Sequence, residues 1–233
     1  MSEPLLFVPG IGADARVFMP QIVALSREFV VAAAPSGRGE RIEEIASDIL
    51  TSSPGKFALC GHGLGGMVAL EMVRRAPDRI TRLCLVSTSP LAETPQEAAE
   101  RESRIIAARA GRFDDAIAKE LQQNWLAPTQ ARADILARYA AMARAVGTET
   151  FVHQSRALQR RRDSQATLRK LRQKVLVLCG EYDGLYPVRR QEFMAELIPD
   201  AKLYVLPDAG HLPMLEQANA VTAALRDFMT WAV

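Results

Sequence analysis

Three segments of the chain carry residue types that nucleophilic catalysis uses. The first is the glycine-rich run 61–66 (Gly-His-Gly-Leu-Gly-Gly), the second places Asp183 between two glycines, and the third ends in His211 behind Gly210. An imidazole can remove the proton of a weak nucleophile, and a carboxylate holds that imidazole in the required tautomer. Together, an acid and a histidine near a tight turn are residue types that can activate a weak nucleophile.

Short apolar runs precede each of these segments. Such runs recur at 5–8, 29–34, 57–60, 83–86, 175–179 and 202–206, and most are aliphatic on both faces. This pattern is typical of strands buried on both sides of a parallel sheet. Helical patterns lie between several of the runs. We therefore predict an α/β fold with a mostly parallel sheet of about six strands, flanked by helices. Open sheets of this kind place their sites at the carboxyl ends of the strands.

Residues 91–172 break the alternation of strands and helices. This stretch lacks strand-like runs and predicts helices at 95–109, 113–126, 132–145 and 149–160. The sheet pattern resumes at Val175. We expect a core made of residues 1–90 and 173–233, with residues 91–172 inserted as a helical cap.

The glycine-rich run allows two functional interpretations besides a plain strand–helix turn. Gly61, Gly63 and Gly66 match the G-x-G-x-x-G fingerprint of dinucleotide-binding proteins, but the next strand ends in Ser-Thr-Ser without an acid for a ribose. The other interpretation is a G-x-S-x-G nucleophile elbow in which glycine replaces the serine. Gly61 and Gly65 then flank the turn, and glycine tolerates the positive φ expected at position 63.

Taken together, the segments resemble the α/β-hydrolase superfamily over essentially the whole chain. The inserted helices look like the cap of esterases and enol-lactone hydrolases, which would shape the pocket and exclude water. The resemblance rests on Phe7-Val8-Pro9-Gly10-Ile11-Gly12, Gly61-His62-Gly63-Leu64-Gly65-Gly66, Gly180-Glu181-Tyr182-Asp183 with Pro187, and Ala209-Gly210-His211.

The resemblance implies a role for each matching position. Gly63 stands at the nucleophile position, where serine is expected, Asp183 matches the triad acid, and His211 matches the triad base. The backbone N–H groups of Ile11 and Leu64 match the oxyanion-hole donors. The implied activity is hydrolysis of a small carboxylic ester, lactone or related acyl substrate through an acyl-enzyme, without cofactor or metal.

Glycine at position 63 departs from the family pattern, because a chain without the serine hydroxyl cannot form an acyl-enzyme. One explanation is an engineered inactive variant that traps ligand. The other is a natural glycine, in a ligand-binding protein or in an enzyme whose His211 activates water. The retained Asp183, His211 and flanking glycines favour the first. The dinucleotide-dependent oxidoreductase remains a third, less favoured hypothesis.

Charge is distributed unevenly between the two parts of the chain. The net charge is +2, but residues 91–172 hold 15 basic and 10 acidic residues and the remainder holds 14 and 17. A basic cap favours an anionic small-molecule substrate, although basic runs on helices are usually a solvated face. From the basic cap we expect Arg144 and Arg156 to face the pocket. The other residues expected there are His62, Phe18, Trp125 and Tyr186.

Composition and chain ends exclude several classes of function. The near balance of 29 basic and 27 acidic residues gives no case for nucleic-acid binding. The apolar run 29–34 is too short to cross a membrane, and no secretory signal is evident. The three cysteines lack the paired spacing of a zinc site. We expect a cytoplasmic protein that is a monomer or homodimer, with no membrane or metal partner.

Overall fold

The computed structural model describes residues 3–232, which contain a six-stranded parallel sheet. Its strand order is β2-β1-β3-β4-β5-β6, and every neighbouring pair is parallel. This architecture confirms the predicted α/β fold with about six strands. The strands are β1 Leu5–Val8, β2 Val31–Ala33, β3 Phe57–His62, β4 Ile80–Val86, β5 Lys174–Gly180 and β6 Ala201–Leu206.

The sheet is buried on both faces because successive side chains of its strands point into two different cores. In β1, Leu5 and Phe7 belong to one core, whereas Leu6 and Val8 belong to the other. The strand is therefore apolar at every position, as the sequence pattern indicated. The edge strand β2 is shorter than the predicted 29–34 and only partly buried, because it has a strand neighbour on one side only.

Helices cover both faces of the sheet. None of them, within residues 3–232, has the length and apolar character that crossing a bilayer requires. The helices are α1 Met19–Leu25, α2 Ile42–Ser52, α3 Leu64–Arg75, α4 Pro95–Arg109, α5 Phe113–Glu120, α6 Arg132–Val146, α7 Thr148–Arg160, α8 Gln165–Leu168, α9 Val188–Glu196, α10 Pro213–Glu216 and α11 Ala218–Thr230.

The five helices α4 to α8 lie between β4 and β5 in the chain and share the cores of the sheet. Residues of α5 and α6 pack into the core on one side, and residues of α7 and α8 pack into the core on the other. Only six residues of this stretch, among them Ile105 and Phe151, form a small core of their own. Packing against the sheet therefore fixes the position of these helices.

Two polar contacts tie these helices to the loop after β1. The side chain of Gln154 in α7 accepts a hydrogen bond from the N–H of Gly12 at 2.9 Å, and the hydroxyl of Tyr139 in α6 donates to the carbonyl of Ile11 at 3.2 Å. Both side chains are buried. The α6 and α7 helices are thereby held directly above the loop that follows β1.

Candidate active site

A sharp turn joins β3 to α3 at Gly63. Its φ of 53° and ψ of −118° lie in a region that side chains rarely adopt. The turn is held on both sides, because the N–H of Gly63 donates to the carbonyl of Val86 and the hydroxyl of Thr88 donates to the carbonyl of Gly63, at 3.1 and 2.7 Å. The strained backbone is thus fixed by β4 and the loop that follows it.

The glycines of this turn differ in the space around them. A Cβ at Gly61 would overlap the carbonyl of Gly65, and one at Gly65 would overlap the carbonyl of Val8. A Cβ at Gly63 would meet nothing closer than 3.8 Å, and it would lie 3.9 Å from Nε2 of His211. Close packing thus requires glycine at 61 and 65, whereas position 63 has room for a side chain directed at His211.

The stability of two alanine variants should separate these roles. Gly65→Ala is expected to lower the free energy of unfolding by about 3 kcal/mol or more, because its methyl group must displace β1 backbone. Gly63→Ala adds only backbone strain, about 1–2 kcal/mol. Urea unfolding of both variants beside the unmodified chain measures the difference. If both variants lose the same free energy of unfolding, a side chain at position 63 also meets steric overlap.

His211 and Asp183 form a buried pair beside this turn. Nδ1 of His211 lies 3.1 and 3.2 Å from the two carboxylate oxygens of Asp183, so Nδ1–H donates and Nε2 is left as an acceptor facing position 63. The backbone N–H groups of Leu185 and Tyr186 also donate to Asp183, at 3.0 and 2.9 Å. Burial acts to raise the pKa of Asp183, but the charge and hydrogen bonds of its partners outweigh burial and lower it.

His62 supports the backbone of His211 from the other side. Its Nε2 lies 2.9 Å from the carbonyl oxygen of His211. Because a carbonyl only accepts, Nε2 must carry the proton, and Nδ1 has no partner within residues 3–232. Burial and the nearby charge of His211 lower the pKa of His62 to about 3. A Cβ at Gly10 would come within 2.8 Å of that Nδ1, which explains the glycine there.

Replacing His62 should change how acid affects stability. Folded His62 stays neutral down to about pH 3, whereas the unfolded chain protonates it near pH 6.5. Between these values the unfolded state binds more protons, so the free energy of unfolding falls with falling pH, by up to about 1.4 kcal/mol per unit from this group. His62→Gln, which can keep a donor to the His211 carbonyl, should have a shallower slope in urea unfolding between pH 7 and 4. Equal slopes would contradict this account.

Two backbone N–H groups remain free beside Gly63. Neither Ile11 N–H nor Leu64 N–H donates a hydrogen bond to any group in the part of the chain that the structure describes. Leu64 is the first residue of α3, whose N-terminal end carries partial positive charge. The two donors therefore suit an oxygen that becomes negatively charged near position 63.

A small closed cavity lies between the turn and the α4–α8 helices. Its volume is about 20 Å³, room for about one water molecule. Any larger ligand requires the helices to move outward. The cavity is lined by Gly10, Ile11, His62, Gly63, Leu64, Arg101, Glu120, Leu121, Tyr139, Leu158, Leu185, Tyr186, His211 and Leu212.

Only part of the predicted pocket lines this cavity. His62 and Tyr186 do, and the ring of Tyr186 lies 5.6 Å from that of His211. Phe18 is instead fully buried in the core. Its ring stacks on that of Phe7 with the two ring centroids 4.5 Å apart, so it does not line the cavity. Trp125 stands beside the cavity and contributes its carbonyl, which accepts from the N–H of His211 at 2.8 Å.

The two predicted cap arginines face away from the cavity. Arg144 pairs with Asp114 at 2.8 Å, and both side chains are more than half exposed. Arg156 pairs with Glu102 on α4. Each therefore has a partner outside the cavity. The charged residues that line it, Arg101 and Glu120, were missed by the sequence argument.

Within residues 3–232, no group of three or more His, Cys, Asp or Glu side chains is placed to hold a metal ion. The candidate site brings together a histidine–carboxylate pair, two N–H groups that donate to no described residue, and a glycine, Gly63, with room for a side chain. Such an arrangement can deprotonate a nucleophile and stabilise an oxyanion, but the chain itself supplies no hydroxyl at position 63.

Curated proteins resemble this chain in sequence over most of its length. A curated relative, the pimeloyl-[acyl-carrier protein] methyl ester esterase of Aromatoleum aromaticum, is 30% identical over 82% of this chain and 80% of its own length. The same-named protein of Neisseria meningitidis serogroup A is 26% identical over 97% of this chain and 77% of its own.

Solved structures of known proteins also resemble this chain. A thermophilic esterase from Thermogutta terrifontis with malate bound superposes with a TM-score of 0.87 at 27% identity, covering 98% of this chain and 90% of that one. The enol-lactonase of Burkholderia xenovorans LB400 shares the fold with a TM-score of 0.86 at 23% identity, over 99% and 91%. The sequence model of the alpha/beta hydrolase family matches residues 5–225. The chain belongs to the alpha/beta hydrolase family.

Proposed function

We propose that this chain carries the site of a serine ester hydrolase in which glycine stands at the nucleophile position. One observation carries the proposal: position 63 is the glycine of the turn that has room for a Cβ, and that Cβ would lie 3.9 Å from Nε2 of His211. A serine hydroxyl at this place would come within hydrogen-bonding reach of the imidazole. With glycine there, the chain binds an ester without forming an acyl-enzyme.

The surrounding groups fit each step of acyl transfer. With serine at position 63, Nε2 of His211 would take the hydroxyl proton as the oxygen attacks the ester carbonyl. Asp183 would stabilise the resulting imidazolium, and the N–H groups of Ile11 and Leu64 would bind the oxyanion. His211 would then return the proton to the departing alcohol, and water would hydrolyse the acyl-enzyme by the same route.

Small carboxylic esters and lactones are the proposed substrates. The curated relatives are named methyl ester esterases, and the structural neighbours include an esterase and an enol-lactonase. Methyl esters of short acids are therefore the first substrates to test. A protein that had evolved only to bind ligands would not need the buried Asp183–His211 pair, and burying charged groups costs free energy. This retention favours an inactivated enzyme site over a natural binding module.

A fluorophosphonate probe tests the proposal directly. Gly63→Ser is expected to be labelled at position 63, because a serine that an adjacent histidine activates displaces fluoride from the probe and becomes phosphonylated. Gly63→Ala is the matched control, since it carries the same Cβ and backbone strain without a hydroxyl. If Gly63→Ser is folded but labelled no faster than a surface serine, the hydrolase assignment fails and the ligand-binding hypothesis gains.

A further inference from the structure

Arg101 on α4 is a buried arginine in the wall of the candidate catalytic cavity. It is 7% exposed. Its Nε donates to Glu93 at 2.6 Å, and its Nη1 donates to both carboxylate oxygens of Glu120 at 3.1 and 3.2 Å. Two carboxylates thus fix the guanidinium plane and satisfy two of its three nitrogens.

The third nitrogen of this guanidinium is free. Among the residues that the structure describes, Nη2 of Arg101 donates no hydrogen bond, although Arg101 lines the cavity. Unlike Nε of Arg161, this nitrogen is not fully enclosed by protein, so a ligand can reach it. A planar guanidinium whose orientation is already fixed binds a carboxylate with little further loss of side-chain entropy.

A second arginine near Arg101 also has an unsatisfied nitrogen. Among the described residues, Nε of Arg161 is buried without a hydrogen-bond partner, and burial lowers the pKa of this guanidinium although the charges of Glu93 and Glu97 act to raise it. Arg104 lies 2.9 Å from Glu120. The group thus holds three arginines and three glutamates, so the free donor of Arg101, and not an excess of charge, favours an anion in the cavity.

Tyr186 connects this charged group to the reacting end of the site. Its ring lies 5.6 Å from that of His211, and the charges of Arg161 and Arg101 act on its hydroxyl. Because Arg101 and His211 both line the cavity, one ligand that enters when the helices move outward can contact both. The remaining wall is largely leucine, including Leu121 and Leu158, which suits a short hydrocarbon linker between two polar ends.

We propose that Arg101 binds a carboxylate of the substrate, so that the substrate is a half-ester of a short dicarboxylic acid or a lactone bearing a carboxylate. This inference rests on the proposed function for the position of the ester. The ester carbonyl would lie at position 63 and the N–H groups of Ile11 and Leu64, and the carboxylate would accept from Nη2 of Arg101. Hydrolysis of the half-ester would consume one water and release the dicarboxylate and an alcohol, whereas the lactone would take up one water and open to a single hydroxy-dicarboxylate.

Binding to the unmodified glycine chain tests the inference without turnover. Calorimetric titration with the monomethyl esters of succinic, glutaric and adipic acid should find at least one that binds, while the corresponding neutral dimethyl ester binds at least about 10-fold more weakly. Arg101→Lys keeps a positive charge for Glu93 and Glu120 but loses the fork, and it should weaken half-ester binding about 10-fold or more. A thermal unfolding scan establishes that this variant is folded.

Arg156→Lys is the matched control, since Arg156 also pairs with a glutamate on α4 but does not line the cavity. It should bind the half-ester within about 2-fold of the unmodified chain. The inference is overturned if Arg101→Lys binds like this control, if the diester binds as tightly as the half-ester, or if no half-ester binds at millimolar concentration. Should Arg101→Lys be unfolded, the preference of the unmodified chain for half-ester over diester decides alone.

Turnover by Gly63→Ser separates this inference from the proposed function. If Gly63→Ser hydrolyses neutral and half-esters with equal kcat/KM, the ester hydrolase stands and the carboxylate site falls. If half-ester binding depends on Arg101 but Gly63→Ser hydrolyses nothing, the carboxylate site stands and the hydrolase falls. Preference of Gly63→Ser for the half-ester, lost in the double variant with Arg101→Lys, supports both.

Discussion

Gly63→Ser is expected to raise the hydrolysis of short methyl esters by about 10⁴- to 10⁶-fold over the unmodified chain. Removing the nucleophile of a complete triad costs about 10⁶-fold in turnover, which is about 8 kcal/mol of activation free energy. The other groups of the site are already in place: the His211–Asp183 pair is 3.1 Å apart, and two backbone N–H groups are free. On the proposed function, the hydroxyl is the one reacting group that the serine variant has to supply.

The backbone at position 63 sets the lower end of that range. A serine must adopt the φ of 53° that the glycine has, which costs about 1–2 kcal/mol and tends to move the turn. The hydrogen bonds from Gly63 N–H to Val86 and from Thr88 to the Gly63 carbonyl oppose such movement. We therefore expect a less stable but active protein, in which the hydroxyl reaches Nε2 of His211.

Gly63→Ala provides the reference for this gain. It shares the strain and the Cβ but lacks the hydroxyl, so it should have the stability of Gly63→Ser and the low activity of the unmodified chain. A pH-stat assay of methyl ester hydrolysis at equal enzyme concentration measures all three proteins. If the serine and alanine variants are equally slow, position 63 is not a nucleophile position.

Much of the fold could be predicted because the sheet is buried on both faces. Strands such as β5, Lys174–Gly180, then have apolar residues at nearly every position, a pattern that helices and exposed strands lack. The start of α3 was less predictable. The helix begins at Leu64, before the pair Gly65 and Gly66, although glycine is a poor helix former. Gly65 packs closely against Val8 and Gly66 against Thr88, so glycine is required at both positions. Helix propensity, a local property, cannot indicate such packing.

The proximity of position 63, Asp183 and His211 was predictable for a related reason. Position 63, Asp183 and His211 each follow a strand directly, and parallel strands bring their carboxyl ends to one edge of the sheet. Residues that approach from the α4–α8 helices have no such constraint. The sequence argument expected Arg144 and Arg156 in the pocket and did not name Arg101, which lines the cavity. An arginine on an amphipathic helix can face either the core or the solvent, so its residue type alone does not show which.

One signal in the sequence does distinguish Arg101. It lies four and seven residues before Ile105 and Ala108, so it shares the buried stripe of α4. Arg144 falls outside the buried positions of α6, which include Tyr139. A charged residue within an apolar helical stripe is therefore a better indicator of an inward-facing charge than the net charge of the segment.

Asp183→Asn in the Gly63→Ser background is expected to lower kcat by about 10⁴-fold with little change in KM or stability. The N–H groups of Leu185 and Tyr186 both donate to the same carboxylate oxygen, Oδ1. An asparagine will keep its carbonyl oxygen at that position, which turns its NH₂ toward His211. Because this NH₂ can only donate, Nδ1 of His211 must become the acceptor and Nε2 must carry the proton.

The imidazole of that variant then presents a proton, and no acceptor, to the hydroxyl at position 63, so it cannot act as the base. Glu181→Gln, an exposed change in the same loop, is the control and should leave kcat within about 2-fold. Steady-state kinetics on a methyl ester, with urea unfolding of each protein, separates lost catalysis from lost folding. If Asp183→Asn keeps more than about a tenth of the activity, the tautomer of His211 is not what Asp183 controls, and its role is confined to holding the loop.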